Sequence, residues 1–147
     1  MDRLFLDANI LFSAAYREDP LSGLKRLWGC GVELITSDYA QTEAIRNLKK
    51  DAPDAAWSHE YLGHLMRDVR LCNDLPANGV MVYKDNLFLP RIELPDKDWP
   101  ILVSAITCGA THLLTGDKKH FGPLFGREVV GVLICRPSEY LSSSSSM

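Results

Sequence analysis

Two stretches decide the fold class: Leu4-Phe5-Leu6-Asp7-Ala8-Asn9-Ile10-Leu11 near the start and His112-Leu113-Leu114-Thr115-Gly116-Asp117 near the end. Each opens on a short apolar run, the pattern of a strand buried on both faces. Each run closes on an aspartate followed by helix-compatible sequence. Strands that alternate with helices build an α/β domain around a mainly parallel sheet. Such sheets bind ligands at the carboxyl ends of their strands, near a topological switch point. Asp7 and Asp117 both fall at or just past such ends.

The elements between them follow the same alternation. Asn9 to Tyr16 reads as a short helix. Asp19-Pro20 opens a helix to about Trp28, with an N-cap acid followed by proline at the first helical position, and Gly29 and Gly31 end it. Val32 to Thr36 reads as a second strand. Ser37 or Asp38 caps a helix to about Lys50, whose apolar face contains Ala40, Ala44, Ile45 and Leu48. Asp54 starts another helix, with Trp57, Tyr61, Leu65 and Val69 at steps of four. Leu71 to Asp74 and Val80 to Tyr83 are candidate strands, and Asn86 to Pro95 reads as a loop. Asp96 or Asp98 caps a helix through Cys108 that is apolar nearly all round and so deeply buried. His112 to Thr115 and Val129 to Ile134 read as strands, and Pro137 begins a short terminal turn.

Size and composition fit a single domain. The 147 residues are 46% hydrophobic, enough for one core, and no repeat or linker divides them. The expected domain spans 1–141, followed by a frayed Ser-rich tail over 142–147. The N-terminus lacks the pattern of a signal peptide, and the apolar runs are too short to span a bilayer, so a cytoplasmic protein without membrane contact is expected. In that compartment Cys30, Cys72, Cys108 and Cys135, none in a CxxC pair, are expected as buried reduced thiols. The net charge of −3 is not that of a protein holding nucleic acid by bulk positive charge. A polyanion would have to be met by local lysines and arginines, or by a bound cation that offsets acids.

Four acids are placed so that they can meet: Asp7, Glu43, Asp98 and Asp117. Singly each has an ordinary role, as a cap, a turn residue or a solvated helix residue. Together they form a cluster whose mutual repulsion and desolvation are tolerated when a divalent cation sits among them. Oxygen donors suit Mg²⁺ or Mn²⁺. Such an ion activates water and neutralises a phosphodiester in the transition state. Arg46 and Lys49, on the Glu43 helix, and Lys118 and Lys119, after Asp117, are candidate RNA-phosphate contacts, or simply a solvated charged face.

Other chemistries fit less well. His59-Glu60-Tyr61-Leu62-Gly63-His64 approaches the zinc-protease pattern HExxH but has one residue too many, which turns the histidines about 140° apart on a helix. Asp7-Ala8-Asn9 approaches the Asp-x-Asp of haloacid-dehalogenase-type phosphotransferases, but Asn9 cannot serve as the general acid. Neither GxxxxGKS nor GxGxxG occurs.

The sequence resembles the PIN-domain family in four segments: Leu4 to Leu11, Thr42 to Leu48, Asp96 to Ala105, and Ala110 to Phe121. The resemblance runs from Leu4 to about Tyr140. It implies a three-layer α/β/α domain with a central, mainly parallel sheet. It also implies a metal site in which Asp7, Asp98 and Asp117 are ligands and Glu43 completes the acidic set, with Asp96 as the rival of Asp98. Thr115 matches a small hydroxyl residue two before the last aspartate, and Asn9 would orient Asp7. The activity implied is a Mg²⁺- or Mn²⁺-dependent endoribonuclease, a hydrolase of the VapC-like toxin type. Its implied partners are an RNA substrate, a small antitoxin protein and a second copy of the chain in a homodimer. The alternative is a catalytically inactive PIN-like module that binds RNA or a protein.

Overall fold

A computed structural model describes residues 1–17, 31–51, 56–73 and 92–145. The helix expected from Asp19 to Trp28, the candidate strand Val80 to Tyr83, and most of the loop from Asn86 lie outside these residues. The described elements run in the order β1 (Arg3–Leu6), α1 (Ala8–Arg17), β2 (Glu33–Thr36), α2 (Asp38–Asp51), α3 (Ala56–Met66) and β3 (Arg70–Leu71). They continue with α4 (Trp99–Thr107), β4 (His112–Leu114), α5 (Lys118–Phe121), a 3₁₀ turn (Gly122–Leu124), β5 (Glu128–Val129), β6 (Val132–Cys135) and α6 (Pro137–Ser145). No helix among them is long and apolar enough to cross a membrane.

The sheet has six strands in the order β3-β2-β1-β4-β6-β5, and only the β5–β6 pairing is antiparallel. From β1 the chain steps outward to β2 and β3, then crosses back to β4 on the other side of β1. Because parallel crossovers are right-handed, the two directions of travel put helices on opposite faces of the sheet, giving three layers. They also make the gap between β1 and β4 the switch point. Leu4, Phe5, Leu6, Leu34, Ile35, Leu113, Leu114 and Ile134 are fully buried in the strands. That is why these strands read as continuous apolar runs rather than alternating ones.

The helices facing the site are fixed locally. Ser37 Oγ accepts from the Ala40 amide at 3.2 Å, capping α2, and Ala40, Ala44 and Leu48 bury one face of it at steps of four. Helix α4 buries Trp99 and the run Ile101 to Ala105, with Pro100 in its first turn.

Four expectations need correction. Helix α3 ends at Met66, where the Arg67, Asp68 and Val69 amides turn back to residues three earlier; Val69 still packs into the core. The segment Val129 to Ile134 is a hairpin, not one strand: Val130 (φ 47°) and Gly131 (φ 83°) reverse the chain so that Val129 faces Val132. Two consecutive positive φ angles are what a two-residue hairpin turn requires. The terminal turn at Pro137 is a helix reaching Ser145, which takes in most of the Ser-rich tail. Finally, Cys72 and Cys108 are joined in a disulfide, whereas all the cysteines were expected as thiols. Of the other two, Cys135 is a free, buried thiol, its pKa pushed up to about 11 chiefly by burial, and Cys30 lies outside the described residues.

Candidate metal centre

The carboxyl ends of β1 and β4 open into a cleft of about 510 Å³, and Asp7, Glu43, Asp98 and Asp117 all line it. Asp7 follows β1, and its amide bonds to Leu114 O at 3.1 Å, which locks the two strand ends together. Asp7 is 5% exposed, and both of its carboxylate oxygens accept hydrogen bonds. Oδ1 accepts from the Ala8 amide at 2.6 Å; Oδ2 accepts from Thr115 Oγ1 at 2.8 Å and Asn9 Nδ2 at 3.2 Å. Burial, reinforced by Glu43 and Asp98, outweighs these bonds and raises the Asp7 pKa to about 6.

Thr115 ties the second loop to the first. Besides donating to Asp7, its hydroxyl accepts from the Asp117 amide at 3.1 Å. Asn9 bridges the same loops, as its Oδ1 accepts from the Gly116 amide at 2.8 Å. Thr115 is fully buried, so its bond to Asp7 is exchanged away from competing solvent, whereas the Asn9–Gly116 bond is exposed.

Asp98 stands at the N-cap position of α4, but its backbone is helical there and its side chain makes no capping bond. The expectation that it would cap the helix is therefore corrected; the carboxylate is free to line the cleft instead. Asp98 is only 7% exposed, whereas Asp96 is exposed. Burial, then Asp117, raises the Asp98 pKa, although His120 opposes the shift. Burial and then Asp98 likewise raise that of Glu43, which projects from α2.

His120 is the participant that the sequence reading missed. Asp117 caps the single turn α5, with Oδ1 accepting from the His120 amide at 3.1 Å, and this brings the side chains at i and i+3 together. His120 Nδ1 lies 2.9 Å from Asp117 Oδ2 and 3.0 Å from Asp98 Oδ2. One ring nitrogen has at most one hydrogen to give, and the buried Asp98 Oδ2 is left without a hydrogen bond. One ligand atom from each of Asp98, Asp117 and His120 can be drawn from within a 4.8 Å span.

A buried carboxylate oxygen without a hydrogen bond, beside three more acids of which Asp7 and Glu43 are pushed towards protonation, is the donor chemistry of a hard divalent cation. The residues present therefore fit such an ion. Arg46, Lys49, Lys118 and Lys119, expected as phosphate contacts, are exposed and stand outside the cleft lining, with Arg46 near enough to Glu43 to oppose the rise of its pKa. Lys97 does line the cleft, on a backbone held by Tyr39 Oη, which donates to Lys97 O at 2.7 Å.

Neither a protein-family model nor a curated protein matches the sequence. Solved structures match the fold over nearly its whole length. A chain of VapBC2 from Rickettsia felis, solved bound to a DNA fragment from its promoter, superposes with a TM-score of 0.68 at 16% identity, covering 91% of this chain and 98% of that one. VapBC-1 from nontypeable Haemophilus influenzae gives 0.62 at 16% identity, with 92% and 98% covered. VapC20 from Mycobacterium tuberculosis, described as a sarcin-ricin loop cleaving toxin, gives 0.56 at 16% identity, with 79% and 91% covered. The chain has the VapC-like PIN-domain fold.

Proposed function

We propose that this protein is a metal-dependent endoribonuclease, with Asp7, Asp98 and Asp117 as ligands of Mg²⁺ or Mn²⁺ and Glu43 completing the acidic set. The observation that carries the reading is the convergence of four acids, one with an orphaned buried oxygen, on one cleft at the β1–β4 switch point. When bound, the cation supplies Lewis-acid stabilisation of phosphodiester charge and a lowered pKa for attacking water. The chain's own residues do the rest. Thr115 and Asn9 hold the Asp7 carboxylate in place. Glu43, with its raised pKa and side position on α2, is suited to take a proton from the attacking water or pass one to the leaving oxygen. Lys97 at the cleft offers a positive charge to a flanking phosphate.

RNA as substrate, and a role as the toxin of a toxin–antitoxin pair, rest on the PIN-family resemblance and the fold shared with VapC20. The same likeness supports a small antitoxin and a second copy of the chain as partners, and the cytoplasm as the place of action. The test is cleavage of single-stranded RNA by the purified protein. EDTA should abolish it, and added Mg²⁺ or Mn²⁺ should restore it. Cleavage that persists in EDTA would overturn the mechanism.

A further inference from the structure

We infer that His120 is itself a metal ligand, through Nδ1, so that Asp98, Asp117 and His120 form a mixed nitrogen–oxygen site that takes Mn²⁺ in preference to Mg²⁺. The inference rests on the metal-dependent reading above but goes beyond it, because the acids alone are an all-oxygen set.

Three atoms carry it: Asp98 Oδ2, Asp117 Oδ2 and His120 Nδ1. The nitrogen is 3.0 Å from one oxygen and 2.9 Å from the other. In an octahedral ion with bonds of about 2.1 Å, neighbouring ligand atoms stand about 3 Å apart. The two nitrogen–oxygen spacings are thus those of adjacent positions in one coordination shell, and one ligand atom from each of the three residues falls within 4.8 Å of the others. Hydrogen bonding satisfies the trio poorly. If Nδ1 carries a hydrogen, the hydrogen can serve one carboxylate, and Asp98 Oδ2 remains buried without a bond. If Nδ1 carries a lone pair, three lone pairs face one another. A cation between them satisfies all three atoms at once.

The donor set then decides the metal. Carboxylates suit Mg²⁺ and Mn²⁺ alike, but an imidazole nitrogen is a better donor to a transition ion than to Mg²⁺, so of the two the mixed set favours Mn²⁺. The backbone holds the ring ready for this role. Capping of α5 by Asp117 fixes the His120 amide at 3.1 Å from Asp117 Oδ1, so the imidazole and the carboxylate share one face of one turn.

The test uses the whole chain, stripped with EDTA and loaded with Mn²⁺, made once at natural abundance and once with ¹⁵N-histidine. Pulsed electron paramagnetic resonance reads any nitrogen bound to Mn²⁺, and calorimetry reads the affinities for Mn²⁺ and Mg²⁺. A histidine nitrogen coupling is expected in the wild type and should vanish in His120→Ala. The Mn²⁺ affinity of that variant should fall by about tenfold or more, and the Mg²⁺ affinity much less. If Mn²⁺ binds without a histidine coupling, or the coupling survives in His120→Ala, the inference is overturned while the carboxylate site stands. If Mn²⁺ does not bind at all, both readings fall. If His120→Ala does not fold, His120→Gln takes its place, and absence of any histidine coupling in the labelled wild type overturns the inference without either variant.

Discussion

Thr115 Oγ1 donates a hydrogen bond of 2.8 Å to Asp7 Oδ2, joining residues 108 positions apart at the carboxyl ends of two adjacent strands. The same oxygen accepts from the Asp117 amide, so one hydroxyl positions two of the acids. Asp7 Oδ2 keeps only Asn9 Nδ2 as a further partner, so the hydroxyl cannot be removed without consequence.

Thr115→Val keeps the shape of the side chain and removes that hydroxyl. It leaves the Asp117 amide short of an acceptor and should cost about 1–3 kcal/mol of stability in urea denaturation. Cleavage should fall as well, because Asp7 and Asp117 lose their common anchor. Thr115→Ser should retain most of both. A valine variant with wild-type stability and rate would show that the hydroxyl positions nothing.

The raised pKa of Asp7 sets a pH dependence. Its folded value of about 6 exceeds the ordinary carboxylate value of 3.8, so the folded state binds this proton more tightly than the unfolded state does. The stability gained is complete below about pH 4 and is lost as pH rises through 6. The shift of about two units caps the loss at roughly 3 kcal/mol. In EDTA, Asp7→Asn should therefore be more stable than wild type at pH 7.5, with the gap narrowing towards pH 4.5. Urea midpoints at the two values check this. A gap that does not change with pH would mean that Asp7 titrates normally.

Asp98 and Asp96 separate by burial. Asp98→Asn removes a buried charge that makes no hydrogen bond through Oδ2 and is repelled by Asp117, so in EDTA its melting temperature should be unchanged or slightly raised. Its RNA cleavage should drop at least about 100-fold. Asp96→Asn, at an exposed position, should stay within about 0.5 kcal/mol of wild type and cleave normally. If the two variants exchange behaviours, Asp96 is the ligand.

The disulfide closes a loop of sequence separation 36, for which chain entropy gives about 4 kcal/mol of stabilisation. Reduction by dithiothreitol, or Cys72→Ala with Cys108→Ala, should lower the melting temperature accordingly. Neither should affect Mn²⁺ affinity more than about twofold, because neither cysteine lines the cleft. An identical melting temperature with and without reductant would mean that the bond does not form in solution.

The layout of the sheet and the position of its acids were legible because both are written locally. A double-faced strand leaves a continuous apolar run, and Asp7 and Asp117 immediately follow two such runs. Helix α2 showed its buried face at steps of four, and that placed Glu43. The parts that stayed hidden depend on contacts distant in sequence or on single dihedral angles. Nothing in Val129 to Ile134 except Gly131 marks a reversal, and Val130 adopts a positive φ that β-branched residues avoid. Cys72 and Cys108 meet only once β3 and the end of α4 are in place. His120 was legible in principle, since an aspartate at a helix start and a histidine three later share a face. Lys97 lies between Asp96 and Asp98, and nothing in that local sequence marks it as facing the cleft.

The central claim is that the acids of this cleft are a divalent cation site. Calorimetric titration of EDTA-stripped protein with Mn²⁺ tests it most directly, comparing wild type with the double variant Asp7→Asn and Asp117→Asn, whose fold is checked by near-ultraviolet circular dichroism. The account predicts saturable binding by the wild type and its loss in the folded double variant. Binding by that variant with wild-type affinity, or no binding by the wild type, would contradict it.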